Sequence, residues 1–152
     1  MPPSRRSGPS KVSAGVLRTE TKTRARALQL LYAWELQGRP SMDRVVIQLL
    51  TDNPVWRRSI EGGEPLAAAV ADHAARLDAE VAEVADNWRL ERIGIIEQNI
   101  LRLAVHELLE SSVPPRVAIS EAVQLAHWFA GPKAPGFVNG ILDAVARKLG
   151  RL

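Results

Sequence analysis

Apolar residues recur at every third or fourth position along most of the chain, the spacing that places them on one face of an α-helix. The clearest stripe follows steps of four, four, three, four and three: Leu66, Val70, Ala74, Leu77, Val81 and Val84. Similar stripes occupy residues 27–34, 93–108 and 138–149. No segment alternates apolar and polar residues for long enough to predict a strand. The pattern therefore predicts an all-α fold.

Glycine and proline residues mark where the predicted helices end. Gly38 and Pro40 close the first helix, and the proline pair 114–115 separates two later ones. Residues 53–63 contain Asn-Pro and Gly-Gly pairs and are predicted to form a long connection. In the next-to-last helix, one face is expected to be buried: Ala118, Ala122, Leu125 and Phe129. The pattern assigns no position to three tryptophans: Trp56, Trp88 and Trp128.

Charge is unevenly divided along the 152 residues. Residues 1–26 carry a formal charge of +6 and the rest of the chain −3. Because the first fifteen residues are rich in Pro, Ser and Gly, we expect residues 1–17 to be a disordered basic tail and residues 18–152 to be the folded domain. A basic head on an acidic body is typical of a protein that meets a polyanion, and nucleic acid is the first candidate.

Several classes of function are disfavoured by the composition. The chain has no cysteine, which excludes disulfides and thiolate chemistry and fits a cytoplasmic location. No apolar run approaches the roughly 20 residues of a membrane span, and the N-terminus lacks the apolar stretch of a secretory signal. His106 and Glu107 resemble half of a zinc-protease motif, but Glu110 stands where the second histidine is needed. We therefore expect neither an enzyme nor a bound cofactor or metal.

The start of the first predicted helix favours binding instead. Basic, amide and aromatic side chains follow one another there: Arg18, Lys22, Arg24, Arg26, Gln29 and Tyr32. Single-stranded RNA is bound by such mixtures, because phosphates pair with cations while unstacked bases lie on aromatic rings. The alternative for Tyr32 is a half-buried position in the core, and spacing alone does not decide between the two.

Four blocks of the sequence stand out. They are RARALQLLYAW at residues 24–34, the segment at 87–108 that contains GIIEQNILRLAVHEL, VPPRVAISEAVQLA at 113–126, and FVNGILD at 137–143. Together they resemble the NusB transcription antitermination family. The blocks stand in the family's order and span about residues 20–147. Residues 39–86 match by length and helical pattern only.

This resemblance implies about seven helices arranged as two three-helix sub-bundles, and no catalysis. Family members bind boxA-type single-stranded RNA of ribosomal RNA leaders together with NusE, a small-subunit ribosomal protein. The pair then joins an RNA polymerase complex that resists termination. The same role is expected for this chain.

Particular residues inherit expected roles from the resemblance. The basic helix start, with Arg24 and Arg26, and the aromatic positions Tyr32 and Phe137 are expected to contact RNA. Lys133, four residues before Phe137, is assigned to the same surface. A further position, Glu97, matches an acidic residue that faces NusE.

Other interpretations remain open at this stage. Glu97 has the alternative of an intrahelical ion pair with Arg92 or Arg102, and Arg102 and Glu107 are candidates for structural ion pairs. The chain as a whole has two alternatives. One is the RNA-binding domain of a ribosomal RNA cytosine methyltransferase, which is disfavoured because no methyl-donor domain follows Leu152. The other is a helical scaffold or homodimer whose basic head is only solvated.

Overall fold

The computed structural model describes residues 3–85 and 92–152, with side chains from residue 19 onward except at position 59. These residues form eight α-helices, one 3₁₀ turn at Pro54–Trp56 and no strand. The helices are α1 (Pro3–Leu36), α2 (Met42–Asp52), α3 (Arg57–Glu61), α4 (Glu64–Asp72), α5 (Ala74–Val84), α6 (Ile95–Glu110), α7 (Pro115–Phe129) and α8 (Ala134–Lys148). The predicted all-α class is confirmed. None of the described helices is long and apolar enough to cross a membrane.

Helix α6 stands at the centre of the molecule and contacts α1, α4, α5, α7 and α8. On one side, α1 packs against α2, α3 and α4; on the other, α5, α7 and α8 pack against α6 and, in part, against each other. The consecutive residues 99–105 of α6 are all buried, as expected for a helix enclosed on all sides. Two groups of helices are present, as the family resemblance implies, but the first contains four helices, α1 to α4, rather than three because the short α3 adds to it.

Arg102 of α6 is fully buried and joins three helices through ion pairs. Its guanidinium donates to both carboxylate oxygens of Asp78 on α5, each at 2.8 Å, and also to Glu35 on α1. Asn99 accepts a further bond at 2.9 Å. Burial opposes the charge, but Asp78 and Glu35 outweigh it and raise the pKa of Arg102. The expectation that Arg102 is a structural ion-pair residue is confirmed.

A glycine lets the connection between α2 and α4 lie directly on α1. A Cβ atom at Gly63 would stand 2.6 Å from the backbone nitrogen of Ala27 and 2.7 Å from Cβ of Arg26. Ile60, which is buried in the core, anchors the same connection. The segment that the sequence marks only as a long connection is therefore held against the first helix.

The structure differs from the sequence expectations at two places. Helical backbone extends through residues 3–17, for which the sequence predicts a disordered tail; the boundary at residue 17 stays a prediction. Phe129 was expected to be buried but is 42% exposed, because α7 ends at this residue and the chain turns towards α8. Trp88, to which the sequence assigns no position, lies outside the described residues.

Candidate nucleic-acid interface

Three of the predicted RNA-binding residues share one face of α1. Lys22, Arg26 and Gln29 follow at steps of four and three, so they lie one above another along the helix. Together with Ala25 they line a cleft of about 300 Å³. The opposite wall comes from Trp56, in the 3₁₀ turn after α2. Local helical spacing therefore builds one wall, and tertiary packing supplies the other.

An apolar groove of about 370 Å³ continues from this cleft along α1. Gln29 and Trp56 line both spaces, and Tyr32 belongs to the groove alone. The remaining walls are apolar and come from the four helices α1, α2, α6 and α7: Ala25, Leu28, Ala33, Leu36, Leu49, Ile96 and Phe129. Tyr32 is 41% exposed, so its ring is accessible rather than a core aromatic.

Lys22 and Arg26 carry charges that no described carboxylate neutralises. Neither forms an ion pair with a residue of the described ranges. The Cβ of Arg26 lies against Gly63, and its guanidinium lies beside Gly62, where an added Cβ would stand 3.6 Å from Nη1. A cation with a supported stem and an unpaired head is suited to meet a phosphate.

Arg24 is placed differently from its two basic neighbours. It is 6% exposed and turns into the junction of α1, α6 and α7. Its Nε atom donates to both oxygens of Glu107, at 3.0 and 3.1 Å, and Nη1 donates to Glu121 at 3.1 Å. Thr21 also donates to Glu121, at 2.7 Å. Burial opposes the charge, but the carboxylates outweigh it and raise the pKa of Arg24.

Because of this burial, the position of Arg24 does not support a contact with RNA like that expected of Arg26, and its role in RNA binding stays a prediction. Its donors are already occupied by two carboxylates, and its side chain does not line either cleft. The helical period explains the difference, since two residues turn the side chain by about 200° around the axis. Glu107 is confirmed as a structural ion-pair residue.

The other predicted RNA-binding residues are not brought into the two clefts. Lys133 is exposed and precedes α8, and Phe137 is half-buried in the first turn of α8 and packs against the core. Neither is among the described residues that line the clefts. The side chain of Arg18 lies outside the described residues. Their roles in RNA binding stay predictions.

Glu97 stands in the first turn of α6 and is half-buried. A Cβ at Gly94 would lie 2.6 Å from its Oε1 atom, so the carboxylate reaches back over the helix N-terminus. Negative charge is favourable there because the first backbone N–H groups are unpaired. The alternative pair with Arg102 is not formed, since Arg102 binds Asp78 and Glu35. No ion pair with Arg92 occurs among the described residues either.

The chemistry of the interface is that of binding. In the described ranges, no group of three or more His, Asp or Glu side chains is arranged to hold a metal ion. The clefts offer two cations, one amide and exposed aromatic rings. These groups suit phosphates and unstacked bases.

Comparison with known families then identifies the fold. A family model described as "NusB family" matches residues 21–147. The chain belongs to the NusB family. Membership covers all eight helices except the first part of α1 and the end of α8.

Similar proteins agree with this assignment. The transcription antitermination protein NusB of Dehalococcoides mccartyi (strain CBDB1) is 40% identical over 129 residues, which are 84% of this chain and 90% of the relative. The protein of the same description from Anaeromyxobacter sp. (strain Fw109-5) is 39% identical, over 85% of this chain and 90% of the relative. A crystal structure of the antitermination factors NusB and NusE in complex with dsRNA contains a chain that superposes with a TM-score of 0.69. The two chains are 28% identical, and the superposition covers 86% of this chain and 98% of that chain.

Two residues of the interface in this NusB-family protein escape sequence reasoning. Trp56 lies in a short 3₁₀ turn that has no hydrophobic period, so nothing local shows that it faces α1. Phe129 fits the apolar stripe of α7 and is therefore expected inside. The proline at position 54, which starts the turn, and the end of α7 at Phe129 were the available signals.

Proposed function

We propose that this NusB-family protein is a transcription antitermination factor that binds boxA-type single-stranded RNA of ribosomal RNA leaders together with NusE. The pair joins an RNA polymerase complex that resists termination. The protein acts in the cytoplasm without catalysis and without a cofactor. Residues 18–152 form its RNA-binding domain and residues 1–17 a basic tail that adds nonspecific attraction to the polyanion.

The unpaired cations on α1 carry this proposal. Lys22, which is exposed, and Arg26, which is half-buried, line one cleft beside the amide of Gln29, and the accessible ring of Tyr32 lies in the adjoining groove. The basic residues that are buried in the described part, Arg24 and Arg102, are committed to structural ion pairs. Unpaired cations on an accessible face, beside buried arginines that are paired, are expected of a surface that binds phosphates.

A second surface serves the protein partner. Glu97 has no ion pair with a described residue and is close to the start of α6. Its charge repels phosphate but attracts a basic side chain of a ribosomal protein. We assign Glu97 to the contact with NusE and the α1 face with Lys22 and Arg26 to the contact with RNA.

The other two functions have less support. The relatives that this chain matches are antitermination proteins of about its own length, since it covers 90% of each of two. The methyltransferase-domain alternative is therefore not favoured. The homodimeric scaffold is tested by a measurement of mass in solution.

The test is a binding titration with boxA RNA, with and without the cognate NusE. We expect the chain to bind the single strand, to bind it more tightly with NusE, and to bind a duplex of the same sequence more weakly. Lys22→Ala and Arg26→Ala should each weaken binding. Arg76→Ala, which removes an exposed arginine on α5, is the matched control. Equal effects of all three variants, or no binding by the wild type, would contradict the proposal.

A further inference from the structure

Trp56 occupies the divide between the two spaces on the RNA-facing side of α1. It lines the basic cleft with Lys22 and Arg26, and it lines the apolar groove with Tyr32. Its side chain is 39% exposed. A large aromatic ring that is partly exposed next to unpaired cations offers a flat apolar surface within reach of positive charge.

The turn that carries Trp56 is fixed rather than loosely attached. Pro54 begins the 3₁₀ turn, and α3 follows it directly. Ile60 of α3 is buried, and Gly63 lies against the backbone of α1 at Arg26 and Ala27. The indole is therefore held at a set position relative to the cationic face before any ligand arrives, which limits the conformational entropy lost on binding.

The charge around Trp56 favours a polyanion over an apolar protein segment. Arg57 and Arg58 follow it directly, are exposed, and form no ion pair with a described residue. With Lys22 and Arg26 they place four unpaired cations on the two chain segments that build the cleft. A protein partner with an apolar docking segment would have to leave these charges without counterions.

We propose that Trp56 is a stacking platform for one unpaired base of the bound RNA, while Lys22 and Arg26 hold the flanking phosphates. Gln29 lies on α1, in the wall of the cleft opposite Trp56, and supplies an amide for the edge of the stacked base. Stacking on the ring accepts any base, because every base has a π-face. This inference rests on the proposed RNA binding and adds a residue and a mode of contact to it.

The test uses the full chain with single-stranded boxA RNA, with and without NusE. Trp56→Ala is expected to lower RNA affinity by about fivefold to 150-fold, the range for the loss of one stacked base. Trp56→Phe should retain most of the affinity. Because stacking contributes no phosphate contact, the salt dependence of binding in Trp56→Ala should equal that of the wild type, whereas Lys22→Ala and Arg26→Ala lower it. Trp128→Ala removes an exposed tryptophan that lines neither cleft and is the matched control.

An RNA series with a single abasic position moved along the strand identifies the stacked base. One abasic position should weaken the wild type and leave Trp56→Ala unaffected, since the ring and the base act as a pair. The proposal is overturned if Trp56→Ala binds RNA as tightly as the wild type, or if Trp128→Ala loses as much RNA affinity as Trp56→Ala. It is also overturned if Trp56→Ala loses affinity for NusE but not for RNA. If the wild type does not bind RNA, the proposed function fails as well. If the wild type binds RNA and Trp56→Ala binds it equally, this inference fails alone.

Discussion

Replacing Arg24 with alanine separates a structural role from an RNA-binding role. The change leaves Glu107 and Glu121 facing each other across the junction of α1, α6 and α7 without their cation. Removing one partner of a buried ion pair costs about 3–5 kcal/mol. The side chains of Glu107 and Glu121 are 12% and 19% exposed, so water reaches them in part and we expect the lower end, about 3 kcal/mol.

The matched control is Arg26→Ala, two residues further along the same helix. Arg26 has no ion pair with a described residue and is half-buried against the Gly62–Gly63 turn, so its removal should cost only the packing of its side chain, about 1 kcal/mol or less. For a chain of this size the loss at Arg24 corresponds to a melting temperature lower by about 6–12 °C. Arg26→Ala should instead lower RNA affinity with little change in melting temperature.

Both variants are measured by urea unfolding, followed by circular dichroism, and by RNA titration at a temperature where each is folded. Adding Glu121→Gln to Arg24→Ala should restore part of the lost stability, because one unpaired charge is then removed. If Arg24→Ala is as stable as the wild type and loses RNA affinity, the ion-pair network does not hold the fold and Arg24 belongs to the RNA surface.

Three further predictions concern other parts of the molecule. Glu97→Lys should weaken binding of NusE, by titration calorimetry, while affinity for RNA alone stays equal or rises; unchanged NusE affinity at low salt contradicts the assignment. Gly63→Ala should cost about 1–3 kcal/mol in urea unfolding because its Cβ meets the α1 backbone, whereas Gly62→Ala, with its nearest atom at 3.6 Å, should not. Burial disfavours the charged form of Glu35, but hydrogen bonds from Arg39 and Arg102 outweigh burial and lower the pKa of Glu35. Its contribution to stability is therefore present above its ordinary value of 4.5 and is lost as pH falls through the lower folded pKa. Glu35→Gln should flatten this acid loss, and parallel pH profiles would contradict it.

The helical period accounts for what the sequence predicts well. Steps of four and three residues from Ile96 place Ile100 and Leu103 on the core side of α6, and both are buried. The same period separates Lys22 and Arg26 from Arg24 by nearly half a turn. Charge along the sequence alone groups Lys22, Arg24 and Arg26 together, because it does not take into account the direction in which each side chain leaves the helix axis.

Tertiary packing decides what the sequence leaves open. The partners of Arg24, Glu107 and Glu121, are 83 and 97 residues away, and no local pattern reports such a distance. Trp56 faces α1 only because Gly63 allows the connection to approach that helix. The cationic half of the interface was therefore predictable from local spacing, and its aromatic wall was not.

The salt dependence of RNA binding tests the central claim most directly. Affinity of the full chain for single-stranded boxA RNA is measured over a series of salt concentrations for the wild type, for Lys22→Ala with Arg26→Ala, and for Arg76→Ala. Each phosphate contact with a single strand contributes about 0.7 to the slope of log affinity against log salt. The double variant should therefore show a slope smaller by about 1.4, and Arg76→Ala the wild-type slope. An unchanged slope in the folded double variant would show that the α1 face does not bind the RNA backbone.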